Sequence, residues 1–204
     1  SMVFGAVAAI GQKNLKRLMA YSSISHMGFA LAGLAVGTNE GIQSSLIYIS
    51  IYLLMNLAFF SCLFMLKRND IYHEDLSDLS GLSKNHPILA LCLLISLFSL
   101  AGIPPLAGFF AKFYIFLAVI KEEMYFLAIV GLLSTVVAAF YYLRVIKTIY
   151  FDSQIEKFDI NHDIGLKISL LVSTVIILIY FIYPSPLPVS YTHLRAHETT
   201  LYRV

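Results

Sequence analysis

Lys112 is the residue of this chain whose type and place most directly suggest chemistry. It stands in the otherwise uncharged run from Ile88 to Ile120, nine residues before Lys121 and so about 13 Å along a helix from that polar turn. No Asp or Glu lies within any apolar run to pair with it. An ammonium at such depth costs about 2.5–3.5 kcal/mol on insertion scales, and it marks an ion or proton path when it faces a bundle interior or water. The structural alternative is a lysine whose stem snorkels to the surface. The residues before it favour the first reading. Ala101-Gly102-Ile103-Pro104-Pro105-Leu106-Ala107-Gly108 puts two prolines in succession, which remove two backbone donors and break a helix near Ile103 to Pro105. Broken helices survive in a membrane where protein or water satisfies the freed groups, as they do along ion and substrate paths. Pro105, Gly108 and Lys112, at spacings of three and four, are expected on one face of the second half.

Three further polar groups interrupt apolar runs. Ser45, Tyr48, Tyr52 and Asn56 follow each other at helical spacing and share a face, as do Ser134 and Tyr141. His26 lies well inside the run that starts at Leu18, with Ser22, Ser23 and Ser25 beside it. Hydroxyls, imidazole and carboxamide both donate and accept, so each group can hold water in a proton path. The alternative is that they only join helices. Asp75, Asp78 and Gly81 punctuate the charged loop from Lys67 to His86, which reads as a solvated segment without chemistry. Cys62 and Cys92 lie in apolar runs and read as free thiols. There is no metal spacing, nucleotide fingerprint or Ser-His-Asp arrangement.

Composition names the solvent around these side chains. The chain has 204 residues, 59% hydrophobic and 13% charged, with mean hydropathy +0.80; a soluble domain is about 25% charged. That balance excludes a soluble enzyme and a disordered tail. It also excludes a nucleic-acid binder, and a net charge of +2 is too small to imply a polyanionic partner. Uncharged or nearly uncharged runs cover Leu18 to Gly37, Ile42 to Leu66, Ile88 to Ile120, Met124 to Leu143 and Ile168 to Tyr183. About 20 apolar residues cross a bilayer, and the last run reaches that length if Lys167 snorkels and Gly165 and Leu166 join. The expectation is an all-α polytopic transmembrane bundle of five full spans, one helix broken at Pro104-Pro105. As a single straight helix the 33-residue third run would be about 50 Å long against a core of about 30 Å, so a break also solves its length.

Assigning alternate loops to alternate sides puts Lys13, Lys16, Arg17, Lys67, Arg68, Lys84, Arg144, Lys147, Lys157 and Lys167 on one side and Lys121 on the other. The first side is then cytoplasmic. Met2 to Ile10 has no charged n-region before it and no cleavage site after it. It reads as the end of a partial N-terminal span, and the chain as a piece of a longer protein. Residues 1–188 form the expected transmembrane domain. Residues 189–204, VSYTHLRAHETTLYRV, resemble the translated adapter that ends many assembled environmental gene fragments. They read as a non-native or disordered tail in which His193 and His197 have no role.

Three strings carry a resemblance. Asn14-Leu-Lys-Arg-Leu-Met-Ala-Tyr-Ser-Ser-Ile-Ser-His-Met-Gly ends at Gly28, Asp75-Leu-Ser-Asp-Leu-Ser-Gly-Leu at Leu82, and Ser99-Leu-Ala-Gly-Ile-Pro-Pro-Leu-Ala-Gly-Phe-Phe-Ala-Lys-Phe-Tyr at Tyr114. Together they resemble the antiporter-like membrane subunits of respiratory complex I, with the match extending to about Leu187. The Ser-Ile-Ser-His segment is most similar to the branch that lacks a long lateral helix. The resemblance implies inverted five-helix repeats, each with a broken helix, and a proton-transfer role for Lys112. His26, Tyr48, Tyr52 and Asn56 become candidates for the proton path, and Gly102, Pro104, Pro105 and Gly108 for the break.

The same resemblance implies a proton-translocating subunit with no cofactor of its own. NADH, flavin, iron-sulfur clusters and quinone belong to the rest of such a complex. The partners are other membrane subunits and the lipid bilayer, in a bacterial inner membrane. It also implies earlier helices, upstream of Ser1, that bear a glutamate and two lysines. Two other readings stay open: a subunit of a multisubunit cation/proton antiporter, and a membrane subunit that only packs against partners.

Overall fold

The computed structural model describes residues 1–68, 71–72, 74–153, 158–160 and 163–182. The reading of residues 189–204, His193 and His197 included, lies outside them, as does Lys157. The described helices are α1 (Met2–Ile10), α2 (Leu15–Ala35), α3 (Asn39–Met65), α4 (Leu82–Asn85), α5 (Pro87–Ala101), α6 (Ala107–Lys121), α7 (Tyr125–Phe151) and α8 (Ile164–Ile182). By length and composition α2, α3 and α7 suffice to cross a membrane. The long run from Ile88 divides into α5 and α6, 15 residues each.

Local chemistry sets several of these boundaries. Asn14 starts α2 by accepting the Arg17 N–H, and Thr38 starts α3 by accepting the Gly41 N–H. Pro87 opens α5, where a missing N–H costs nothing. The centre of the bundle is α3, which packs on α2, α5, α6 and α8. Its buried face (Ile47, Tyr48, Ile51, Met55, Ala58, Cys62) repeats every three to four residues.

The architecture is all-α, with one small sheet added to it among the described residues. Beyond α3 the chain turns extended, and Leu66–Arg68 forms the middle strand of a small antiparallel sheet between Ile71–Tyr72 and Asp159–Ile160. Pairing gives the backbone groups of these polar connections partners that no helix there supplies. The thiol of Cys62 donates to the Leu89 carbonyl at 3.5 Å, and both cysteines are free.

Contacts sort the connections into two ends of the bundle. At one end the Gly81 N–H donates to the Thr148 carbonyl and His86 Nε2 to the Phe158 carbonyl. At the other, Lys121 pairs with Glu40 at 2.6 Å.

The segment from Glu74 to Gly81, read above as a solvated loop, is a clasp at the first end. The Leu15 N–H donates to the Glu74 carbonyl at 2.6 Å, and the Leu76 N–H to the Lys13 carbonyl at 2.8 Å. The Glu74 carboxylate meets Lys16 Nζ at 2.5 Å and Asn14 Nδ2 at 3.2 Å. Lys16 first, then Asn14, holds the Glu74 carboxyl below its ordinary 4.5. A carboxyl lowered in the folded state stabilises it above the unfolded value, and that contribution is lost as pH falls through the lowered value. Protection of the Leu15 amide is therefore expected to hold from pH 7 to 5 and to fall below about pH 4. Glu74→Gln should flatten this dependence in hydrogen exchange corrected for intrinsic rates. An equal fall in both proteins would assign it elsewhere.

Arg144 makes the second lock at this end. Its Nη1 donates to the Ile10 carbonyl at 2.6 Å and its Nη2 to the Gln12 carbonyl at 2.7 Å, which caps α1 from α7. Hydrogen bonds from a charged donor contribute about 1.5–3 kcal/mol each. Arg144→Ala is expected to cost about 3 kcal/mol or more. Arg144→Lys should recover less than half, because an ammonium cannot fork to two carbonyls in fixed geometry. Thermal melting of the full-length protein by circular dichroism checks the order; equal melting of all three would refute the cap.

Candidate functional site

The helix break is built by residues on both sides of it. A helix leaves its last four carbonyls without an internal partner, here those of Phe98, Ser99, Leu100 and Ala101. Gly102 adopts φ 82°, ψ 33°, the left-handed conformation glycine takes without steric cost. Its N–H reaches the Phe98 and Ser99 carbonyls, and the Ile103 N–H also reaches Phe98. This Schellman arrangement serves the first two carbonyls. Lys112 serves the others, its Nζ donating to Leu100 at 3.3 Å and Ala101 at 3.0 Å.

Two details of the expected break change. The chain leaves the helix at Gly102, so Pro104 and Pro105 follow the stop rather than cause it, as prolines do after a left-handed cap. Pro105 lies in the connection before α6, so it shares no helical face with Gly108 and Lys112.

Lys112 itself is 4% exposed. Its Nζ lies 5.4 Å from the centre of the Phe29 ring, within cation–π range. Among the described residues no carboxylate pairs with it, so two carbonyls at the negative end of α5 and one ring face hold the charge. Two charge-assisted hydrogen bonds at about 1.5–3 kcal/mol each are of the size needed to offset an insertion cost of about 2.5–3.5 kcal/mol.

A second polar group lies one aromatic layer away. His26 Nδ1 is 2.7 Å from the Tyr48 hydroxyl, and Nε2 is 3.2 Å from the Tyr142 hydroxyl, which also bonds to Ser22. Helices α2, α3 and α7 thus meet on one imidazole. A neutral imidazole donates from one nitrogen and accepts at the other, so the chain Tyr48–His26–Tyr142–Ser22 can pass a proton in sequence. Tyr52 stacks on His26 with centroids 4.8 Å apart, but its hydroxyl donates to Ser23 at 2.6 Å. The Phe29 ring stacks on Tyr48 and also meets the ammonium, so it touches both groups. His26 still lies within electrostatic reach of Lys112.

Asn56 does not join the cluster. Its amide donates to the Tyr52 carbonyl of its own helix. Ser134 likewise bonds back to Val130, while Tyr141 is buried against Tyr142. Among the described residues no group of His, Cys, Asp and Glu side chains could hold a metal ion.

Residues 1–138 match the family described as NADH:quinone oxidoreductase/Mrp antiporter, TM. The chain belongs to this family. Curated antiporter-family relatives include NADH-quinone oxidoreductase subunit N of Pelagibacter ubique, 74% identical over 92% of this chain and 40% of its own length. Subunit N of Parvibaculum lavamentivorans is 54% identical over 92% of this chain and 39% of its own length. The chain therefore spans about two fifths of these relatives. Among solved structures, respiratory complex I from Thermus thermophilus matches with TM-score 0.80 and 29% identity over 92% of this chain and 43% of its counterpart. The Mrp complex of a Dietzia species shares the fold, with TM-score 0.75 at 20% identity over 89% of this chain and 42% of its counterpart.

In this family member, two residues of the site had little signal in the sequence. Tyr142 is neighbour to the singled-out Tyr141 but points from α7 to His26. Ser99 is one of two serines in an apolar run, one turn before the break, yet its side chain joins α5 to α6.

Proposed function

We propose that this chain is part of a proton-translocating membrane subunit of a bacterial NADH:quinone oxidoreductase, embedded with other membrane subunits in the inner membrane. Its helices α2, α3, α5 with α6, α7 and α8 make five spans, with the basic end in the cytoplasm. The single observation that carries the reading is the buried Lys112 ammonium, held by the carbonyls of a broken helix beside a histidine–tyrosine cluster. Lys112 takes and releases a proton as charges in adjacent sites and subunits change. His26, Tyr48 and Tyr142 relay protons to it through water past Phe29, with Tyr52 and Asn56 at the edge of the path. NADH, flavin, iron-sulfur clusters and quinone act in other subunits of the complex, and this chain supplies the proton-handling part.

A cation/proton antiporter subunit is the second reading, favoured by the shared fold of the Mrp complex. Inverted membrane vesicles bearing the full-length protein in its own complex separate the two. Proton uptake driven by NADH, without a sodium gradient, is the expected result. Uptake that requires the sodium gradient and ignores NADH would transfer the assignment to the antiporter.

A further inference from the structure

The amide end of α6 has the same problem as the carbonyl end of α5. A helix starts with free N–H groups, usually met by a Ser, Thr, Asp or Asn at the N-cap. The N-cap of α6 is Leu106, which has no side-chain acceptor, and the two residues before it are prolines. The missing acceptor comes from the other half-helix: Ser99 Oγ accepts the Gly108 N–H at 3.0 Å. Ser99 is fully buried, and its own hydroxyl donates to Met55 Sδ on α3 at 2.9 Å.

We propose that Ser99 is a positioning residue for Lys112, through a reciprocal cap in which each half of the broken helix satisfies the other's free backbone groups. Lys112 reaches from α6 to two carbonyls of α5, and Ser99 reaches from α5 to one amide of α6, that of Gly108. The two bonds cross the break in opposite directions, so either one fixes how far α6 lies from α5 and thereby where the ammonium sits. The bond to Met55 ties the pair to the helix that carries Tyr48 and Tyr52. Gly102 leaves the space, since a Cβ there would lie 3.0 Å from Lys112 Cδ and 3.1 Å from Nζ. A proton-transfer group whose acceptors shift by a fraction of an ångström changes charge at a different pH. The groups against it are the Phe29 ring on α2 and the Leu100 and Ala101 carbonyls on α5, and the titratable group within its electrostatic reach is His26 on α2.

The role in proton transfer rests on the function proposed above; the cap itself does not. The test uses Ser99→Ala in the full-length protein within its complex, with two readouts. Hydrogen exchange at Gly102 and Ile103 is expected to rise roughly fivefold, although neither residue contacts the Ser99 hydroxyl. The pH midpoint of proton translocation is expected to move by about one unit while the amount of assembled complex stays constant. An assembled Ser99→Ala protein with unmoved exchange and pH profile overturns the proposal, and so does a rise in exchange with the pH profile unmoved, which would leave Ser99 merely structural. If Ser99→Ala fails to assemble, Ser99→Cys, which keeps a weak acceptor in nearly the same volume, is judged by the same criteria. If Lys112→Met leaves translocation intact, the functional reading has failed, and increased exchange at Gly108 in that variant would still demonstrate the reciprocal cap.

Discussion

Lys112→Met and Lys112→Arg, each in the full-length protein within its complex, are expected to abolish proton uptake for different reasons. Methionine keeps the length of the stem but supplies neither donor nor charge, so the Leu100 and Ala101 carbonyls lose the contacts that Nζ makes at 3.3 and 3.0 Å. Each buried carbonyl left without a partner costs about 1–3 kcal/mol. Reduced assembly should therefore accompany the loss of transport. Arginine keeps a permanent cation with several donors, so it can still cap α5, but it does not release a proton in a protein. That variant is expected to assemble near normally and to transport protons at least about a hundredfold more slowly, the lower end of what a positioned acid–base group contributes. The pair separates proton transfer from structure where either variant alone does not. A purely structural lysine predicts the opposite pattern, with arginine restoring transport along with assembly. Vesicle acidification per NADH oxidised, normalised to assembled complex, is the measurement. Normal acidification by the arginine variant would end the proton-transfer reading.

Lys112 was legible because charge in an apolar run is costly, so its presence alone demanded an explanation. The break was legible from Gly102, Pro104 and Pro105 as residue types, though the cause was read from the wrong members. Prolines announce that a helix cannot continue, but here a left-handed glycine ends it first. Periodicity predicted the shared face of Tyr48 and Tyr52 but could not give the partner of Asn56. Spacing fixes the direction of a Cβ, while a carboxamide can turn back and bond its own helix, as Asn56 does with the Tyr52 carbonyl. The partners of His26 needed the tertiary fold, because Tyr142 is 116 residues away. The clasp made by Glu74 lay beyond reach for a related reason. Its energy comes from a backbone bond to Leu15 and an ion pair with Lys16, and its charged composition is that of any solvated loop.

Gly108→Ala is expected to do more damage than any other single methyl group added to this bundle, and the break explains why. Gly108 is the second residue of α6, and it packs directly on the last turn of α5. A Cβ placed there would run into the Ser99 carbonyl oxygen, approach its carbon at 2.7 Å and meet Met55 Sδ at 3.0 Å. Methionine can swing aside, but the Ser99 carbonyl is backbone within a helix and cannot. The two half-helices must then separate, and separation stretches the Gly108 to Ser99 bond together with both bonds of Lys112. Overpacking alone costs about 1–3 kcal/mol, and the loosened bonds add to it, so a total of about 3 kcal/mol or more is expected. The chain spans about 40% of the length of a full relative, so in the full-length protein that is roughly 3 °C in melting temperature. Gly11→Ala is the control, because a Cβ there meets nothing within 4 Å and its φ of −79° suits any residue. Melting of both variants in the purified full-length protein decides the matter. If Gly108→Ala melts with Gly11→Ala, α5 and α6 do not hold each other as closely as the buried ammonium requires.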